Sequence, residues 1–128
     1  MFVLKIAITI CVGCFLLITN ASAATLYACM EEKSVGMKAS EDYRTANFSE
    51  ERFTAKIDKA KPSVEAKKIW IEPFNSECLF SAGREEFTCA TGWGSTFTFN
   101  LETNDFVRSY NATVSDAPFV SRGSCETF

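Results

Sequence analysis

Ten residues separate Cys78 from Cys89, and they read as the two arms of a β-hairpin with its turn. A four-residue turn at Ala82-Gly83-Arg84-Glu85 sets Ser81 opposite Glu86, Phe80 opposite Phe87, Leu79 opposite Thr88 and Cys78 opposite Cys89. Directly opposed strand residues bring their Cβ atoms within reach of a disulfide. Two of the six cysteines, Cys11 and Cys14, belong to an apolar leader, which leaves Cys29, Cys78, Cys89 and Cys125. An even count in an exported chain of this length reads as a disulfide framework with three possible connectivities. The hairpin register selects Cys78–Cys89, so Cys29 pairs with Cys125 and ties the first strand to the last. By loop entropy the short loop is worth roughly 3 kcal/mol and the long one about 5. The rival reading is zinc. None of the four belongs to a C-x-x-C pair, so no metal site is expected.

The leader places this framework outside the reducing cytoplasm. Met1 to Lys5 carries one positive charge, residues 6–18 are almost wholly apolar, and Ala21-Ser22-Ala23 has small residues where signal peptidase reads. Cleavage after Ala23 leaves a single domain of residues 24–128, periplasmic or secreted. Two other readings compete. Cys11-Val12-Gly13-Cys14 has the small residue and cysteine of a lipobox, but Cys11 stands where leucine is preferred. An uncleaved anchor needs about 20 apolar residues, and polar Thr19-Asn20 interrupts this run. No other segment is long and apolar enough to cross a bilayer, so no membrane contact is expected after cleavage.

Composition excludes several function classes. The chain has 13 basic and 16 acidic residues, and losing Lys5 with the leader takes the net charge from −3 to −4. Nucleic acid rewards clustered positive charge, so it is not an expected partner, and neither is an anionic lipid surface. There is no histidine. That removes His-dependent triads, the commonest general base near neutral pH and His-ligated metal sites. A carboxylate-pair hydrolase remains. Glu31-Glu32, Glu50-Glu51 and Glu85-Glu86 are adjacent doublets. Neighbours on a strand point to opposite faces, so no doublet makes a facing pair, and all three read as solvated edges or turns. No catalytic residue and no cofactor are expected.

The mature chain reads as all-β, a small antiparallel barrel or sandwich. Strands are expected at 25–30, 34–38, 43–48 and 52–58, the last with Phe53, Ala55 and Ile57 on one face. Residues 62–68 are the one candidate short helix. Residues 67–74 alternate as a strand with Ile69 and Ile71 on one face and Trp70 on the other. After the cysteine hairpin come a turn at Gly92-Trp93-Gly94-Ser95 and strands at 96–100 and 105–112. The last strand runs from Phe119 to Cys125. Strands recurring about every 10 residues with turn chemistry between them define the class.

Several segments together resemble small exported proteobacterial proteins of unassigned activity. They are Leu26-Tyr27-x-Cys29, Ser34-Val35-Gly36-Met37, Asn47-Phe48-x-x-Glu51-Arg52-Phe53-Thr54, Gly92-Trp93-Gly94 with Phe97-x-Phe99-Asn100, Phe106-Val107-Arg108-Ser109, and Gly123-x-Cys125-Glu126-x-Phe128. The resemblance implies a periplasmic setting and a β-rich disulfide fold. Tyr27-Ala28-Cys29 also resembles the opening strand of periplasmic c-type lysozyme inhibitors. The inhibitory loop of that family centres on serine and glycine with a nearby tyrosine. Ser81-Ala82-Gly83 departs from it, lacking the adjacent pair and the tyrosine.

Two residues stand out as binding candidates. Trp93 sits between two glycines in a turn that does not require a large ring. It reads either as an anchor for a protein or glycan partner or as a cap on an open barrel end. Arg108 lies among aromatics, where it either meets an acidic ligand or stacks on a ring, or else faces solvent. The row Phe97, Phe99 and Phe106 lines an apolar pocket or fills the core. Asn47-Phe48-Ser49 and Asn111-Ala112-Thr113 match the glycosylation sequon, which is incidental in a bacterial setting. The leading expectation is a non-enzymatic binding or interaction protein. The alternative is an inhibitor of a secreted or periplasmic hydrolase such as lysozyme.

Overall fold

Period-two burial builds the architecture. In the computed structural model, which describes residues 24–111 and 116–128, nine strands form one antiparallel sheet that curls into a nearly closed barrel. They are β1 (Thr25–Lys38), β2 (Arg44–Asn47), β3 (Arg52–Asp58), β4 (Ser63–Glu65), β5 (Ser76–Ser81), β6 (Glu86–Thr91), β7 (Ser95–Asn100), β8 (Asp105–Tyr110) and β9 (Phe119–Thr127). The order around the barrel is β4-β3-β1-β9-β8-β7-β6-β5, with β2 also paired to β1. The expected leader and cleavage site, with Cys11 and Cys14, lie outside the described residues, as do Ala112 and Thr113 of the second sequon.

Both disulfides form as the sequence register requires. Cys78 opposes Cys89 and Phe80 opposes Phe87 across β5 and β6, and Ser81 meets Glu86 at the turn. Cys29 opposes Cys125 across β1 and β9. Phe97, Phe99 and Phe106 are buried and pack on one another, with Phe97 stacked on Phe106 at 5.3 Å between centroids. Phe53 meets Phe106 edge-on at 5.4 Å, and Tyr27 meets Phe99 at 5.6 Å. The aromatic row is therefore filled core rather than a pocket. Such ring pairs add about 0.5–1.5 kcal/mol each beyond area burial.

Three sequence expectations are corrected. The strands expected at 25–30 and 34–38 are one long strand, because β1 absorbs Glu31 to Lys33 as a bulge against β9 instead of breaking. A bulge shifts side-chain parity. Tyr27, Cys29 and Glu31 point inward before it, and Ser34 points inward after it. Gly123 sits opposite the bulge, where a Cβ would come within 2.0 Å of the Met30 carbonyl oxygen, so only glycine fits.

The expected helix at 62–68 is instead β4 followed by a 3-10 turn, Lys67–Ile69. The expected strand at 67–74 is absent for a related reason. Ala66 and Ile71 exchange backbone hydrogen bonds of 2.7 and 3.3 Å, pinching the segment into a loop. Trp70 takes a left-handed conformation at φ 59°. That kink turns Ile69 and Ile71 inward and Trp70 outward, so the loop reproduces the alternation of a strand.

Candidate functional site

Above the phenylalanine layer the barrel interior turns polar. Arg108 is on the inward face of β8, two residues after buried Phe106, with only 12% of its side chain exposed. Its guanidinium lies 4.8 Å from the ring centroid of Phe119 and 6.0 Å from that of Phe53. Its Nε donates to Glu31 Oε1, and its Nη2 donates to Glu51 Oε2 at 3.0 Å. The Ser121 hydroxyl donates to Glu31 Oε1 at 2.7 Å, and the Glu51 backbone N–H donates to Glu31 Oε2 at 2.9 Å. Every oxygen of Glu31 is thus occupied, which is what a fully buried carboxylate requires.

Two local irregularities assemble this cluster. The bulge in β1 falls beside Glu31, and the chain running along the same edge of β1 breaks between β2 and β3, where Glu51 lies. Glu31 N–H donates to Glu51 C=O across the gap at 2.9 Å. Of the doublets expected to be solvated, Glu31-Glu32 is therefore split. Glu32 is exposed, and Glu31 is buried. Burial alone would raise the Glu31 pKa. The hydrogen bonds from Arg108, Ser121 and the Glu51 backbone, with the charge of Arg108, outweigh it and hold the carboxyl below its ordinary 4.5. Glu31 is thus an ionised structural acceptor at neutral pH rather than a proton donor.

Arg108 also forms part of the floor of a cleft of about 420 Å³ at this end of the barrel. Trp93 lines the same cleft, as do Trp70, Tyr110 and Phe119. Trp93 is 45% exposed in the β6–β7 turn. That turn is fixed without the ring. Ser95 N–H donates to the Thr91 hydroxyl at 3.1 Å, Gly94 N–H donates to Thr91 C=O at 3.3 Å, and Gly94 holds φ 94°. Trp70 is 75% exposed, held outward by the Ala66–Ile71 pinch. The Thr96 and Ser109 hydroxyls share a hydrogen bond of 2.7 Å within the lining.

The two candidate residues, Trp93 and Arg108, are thus brought together from the β6–β7 turn and from β8. Arg108 stacks on aromatic rings and does not face solvent. Sequence reasoning missed Glu31, Glu51 and Trp70. The first two were hidden because a bulge and a strand break have no simple alternation signature. Trp70 carried a signal, as a tryptophan opposite two buried isoleucines, but it read as the outer face of a strand. Among the described residues no group of three or more acidic or cysteine side chains is placed to hold a metal ion. Taken together, the fold and the cleft define a small disulfide-bonded β-barrel with an aromatic site at one mouth. In comparisons with known proteins, no family model, no curated protein and no solved structure matches the chain.

Proposed function

We propose that this chain is an exported, non-enzymatic binding protein that holds a glycan in the cleft between Trp70 and Trp93. The observation that carries the reading is the convergence of Trp70, Trp93 and Tyr110 on one concave site. Its volume of about 420 Å³ falls in the range of small-ligand pockets. Ring faces suit the apolar faces of sugars. Arg108, the most buried charge of the lining, is already paired to two carboxylates, so the ligand need not supply an anion. The hydroxyls of Ser95, Thr96, Ser109 and Tyr110 offer donors and acceptors to a hydroxyl-rich ligand. Two disulfides suit the oxidising compartment that the leader specifies.

Trp93→Ala is the test. Because the turn is fixed by Thr91, Gly94 and Ser95, the variant is expected to change stability by less than about 1 kcal/mol. Binding to a neutral oligosaccharide array should fall by tenfold or more. Loss of a buried tryptophan would instead cost about 3–5 kcal/mol. A melting-temperature drop of that size would place the ring in the core and remove it from the site. Trp93-dependent capture of a protein, with no glycan bound, would replace the glycan by a protein partner.

Hydrolase inhibition has one observation in its favour. Ser81-Ala82-Gly83 lies at the tip of a hairpin stapled by Cys78–Cys89. A c-type lysozyme assay with the wild-type protein and an Ala82-Gly83 deletion decides it. Unchanged lysozyme activity at excess wild-type protein removes this reading.

A further inference from the structure

The barrel does not close. β4 and β5 are the two ends of the sheet, and β5 pairs only with β6 among the described residues. The seam leaves its mark on the side chains. Phe80 has the inward parity of Cys78 and opposes fully buried Phe87, yet it is 50% exposed. Leu79, on the outer face of the same strand, is 77% exposed. It borders a groove of about 620 Å³ that also includes Phe74, Thr88 and Ala90, with Phe74 itself exposed.

Register fixes which backbone groups the edge presents. Cys78 and Cys89 have Cα atoms 3.9 Å apart, the close spacing of a non-hydrogen-bonded antiparallel pair. Residues in such a pair direct N–H and C=O away from each other. The period of two then gives Cys78 and Phe80 outward-directed backbone groups on the open side of β5. Ser76 is flanked there by the preceding turn, through its hydroxyl bond to Glu72 C=O at 2.8 Å. The accessible edge is therefore 78–81, with large apolar side chains and no proline or lysine to blunt it. Exposed edges of this kind are templates for another strand.

We propose that a second copy of this chain pairs with β5 in an antiparallel, two-fold arrangement centred on Leu79. The edge is self-complementary in that register. Cys78 exchanges backbone hydrogen bonds with Phe80 of the second copy, and Phe80 does so with its Cys78. An isologous contact requires this reciprocity. Leu79 meets Leu79 of the second copy on the outer face, and Glu77 faces Ser81, so no like charges oppose each other. Shifting the register by two residues, to centre on Cys78, would set Leu79 against the Glu77 carboxylate. The arrangement covers Phe80 and joins the two outer grooves. It is independent of the glycan reading, because β5 contributes nothing to that cleft.

Sedimentation of the mature protein over a concentration series tests the proposal. The expected result is a monomer–dimer equilibrium. Leu79→Lys, which places two ammonium groups on the axis, should abolish the dimer at concentrations where the wild type is mostly paired. Leu79 is exposed, so the variant's melting point as a monomer should be unchanged. Leu79→Cys should give a covalent dimer on a non-reducing gel, because the two positions are directly opposed. Val107→Cys, an exposed outer-face position on β8, should not. A wild type that stays monomeric at the highest concentration overturns the proposal. So does a dimer that persists in Leu79→Lys, or Leu79→Cys chains that crosslink no more than Val107→Cys chains.

Discussion

Arg108→Met is expected to cost about 3–5 kcal/mol, the penalty for removing one partner of a buried ion pair. Methionine retains much of the apolar stem and can still pack on Phe119 and Phe53. What it cannot supply is the charge that compensates Glu31, whose side chain is fully buried. Total stability for a domain of this size is about 5–15 kcal/mol. The loss is therefore visible directly in urea or thermal unfolding. Glu51→Gln is the contrasting variant. Its side chain is 42% exposed, so its pair with Arg108 is screened and worth about 1 kcal/mol or less. Equal effects from the two variants would refute the central place given to Glu31.

The same cluster sets a pH dependence. The Glu31 pKa in the folded state lies below its ordinary 4.5, so its ionisation contributes stability that is fully present above 4.5. That contribution is lost as pH falls through the folded value. Without Arg108, burial raises the Glu31 pKa, and the variant is relieved by protonation. The stability gap between wild type and Arg108→Met should accordingly narrow as pH falls from the variant's raised Glu31 pKa, above 4.5, through the wild type's lowered one. A gap that is constant from neutral pH into that range would mean that Glu31 is not the group left unpaired.

Replacing Cys29 and Cys125 together by serine is the second large effect. The pair is 96 residues apart, and closing so long a loop is worth about 4.7 kcal/mol by chain entropy. The Cys78–Cys89 pair is 11 residues apart and should contribute just under about 3 kcal/mol. Chemical denaturation of the two double-serine variants should therefore rank them, with the long-range pair costing more. The reverse order would mean that residual structure in the unfolded chain, rather than loop length, governs these bridges. Loss of the long-range bridge also acts at the β1–β9 ladder, in the interior of the sheet, whereas the short one ties the edge strand β5 to β6.

Local rules determined much of this protein from its sequence alone. Turn length and strand parity placed Cys78 opposite Cys89, and the even cysteine count then assigned Cys29 to Cys125. Period-two alternation put Phe53, Ala55, Ile57, Phe97 and Phe99 inside. Gly92-Trp93-Gly94 marked a turn with an aromatic that its backbone does not need. These features depend on neighbours in the chain or across one hairpin, and such information is present in a linear pattern.

The rest was decided only by the tertiary structure. Whether the strands close as a barrel or split as a sandwich depends on which strands end up adjacent, and β1 pairs with β9 at the far end of the chain. Glu31 is buried because a bulge in β1, a gap between β2 and β3, and inward positions on β8 and β9 coincide in space. Neither its own sequence neighbours nor its doublet partner Glu32 records that. Trp70 is presented because Ala66 and Ile71 bond across a loop whose alternation imitates a strand. The seam beside β5 lies where the two end strands of the sheet, β4 and β5, do not pair. Burial of a charge, the shape of a cleft and an unpaired edge are all properties of distant segments meeting, and their energies arise only where those segments touch.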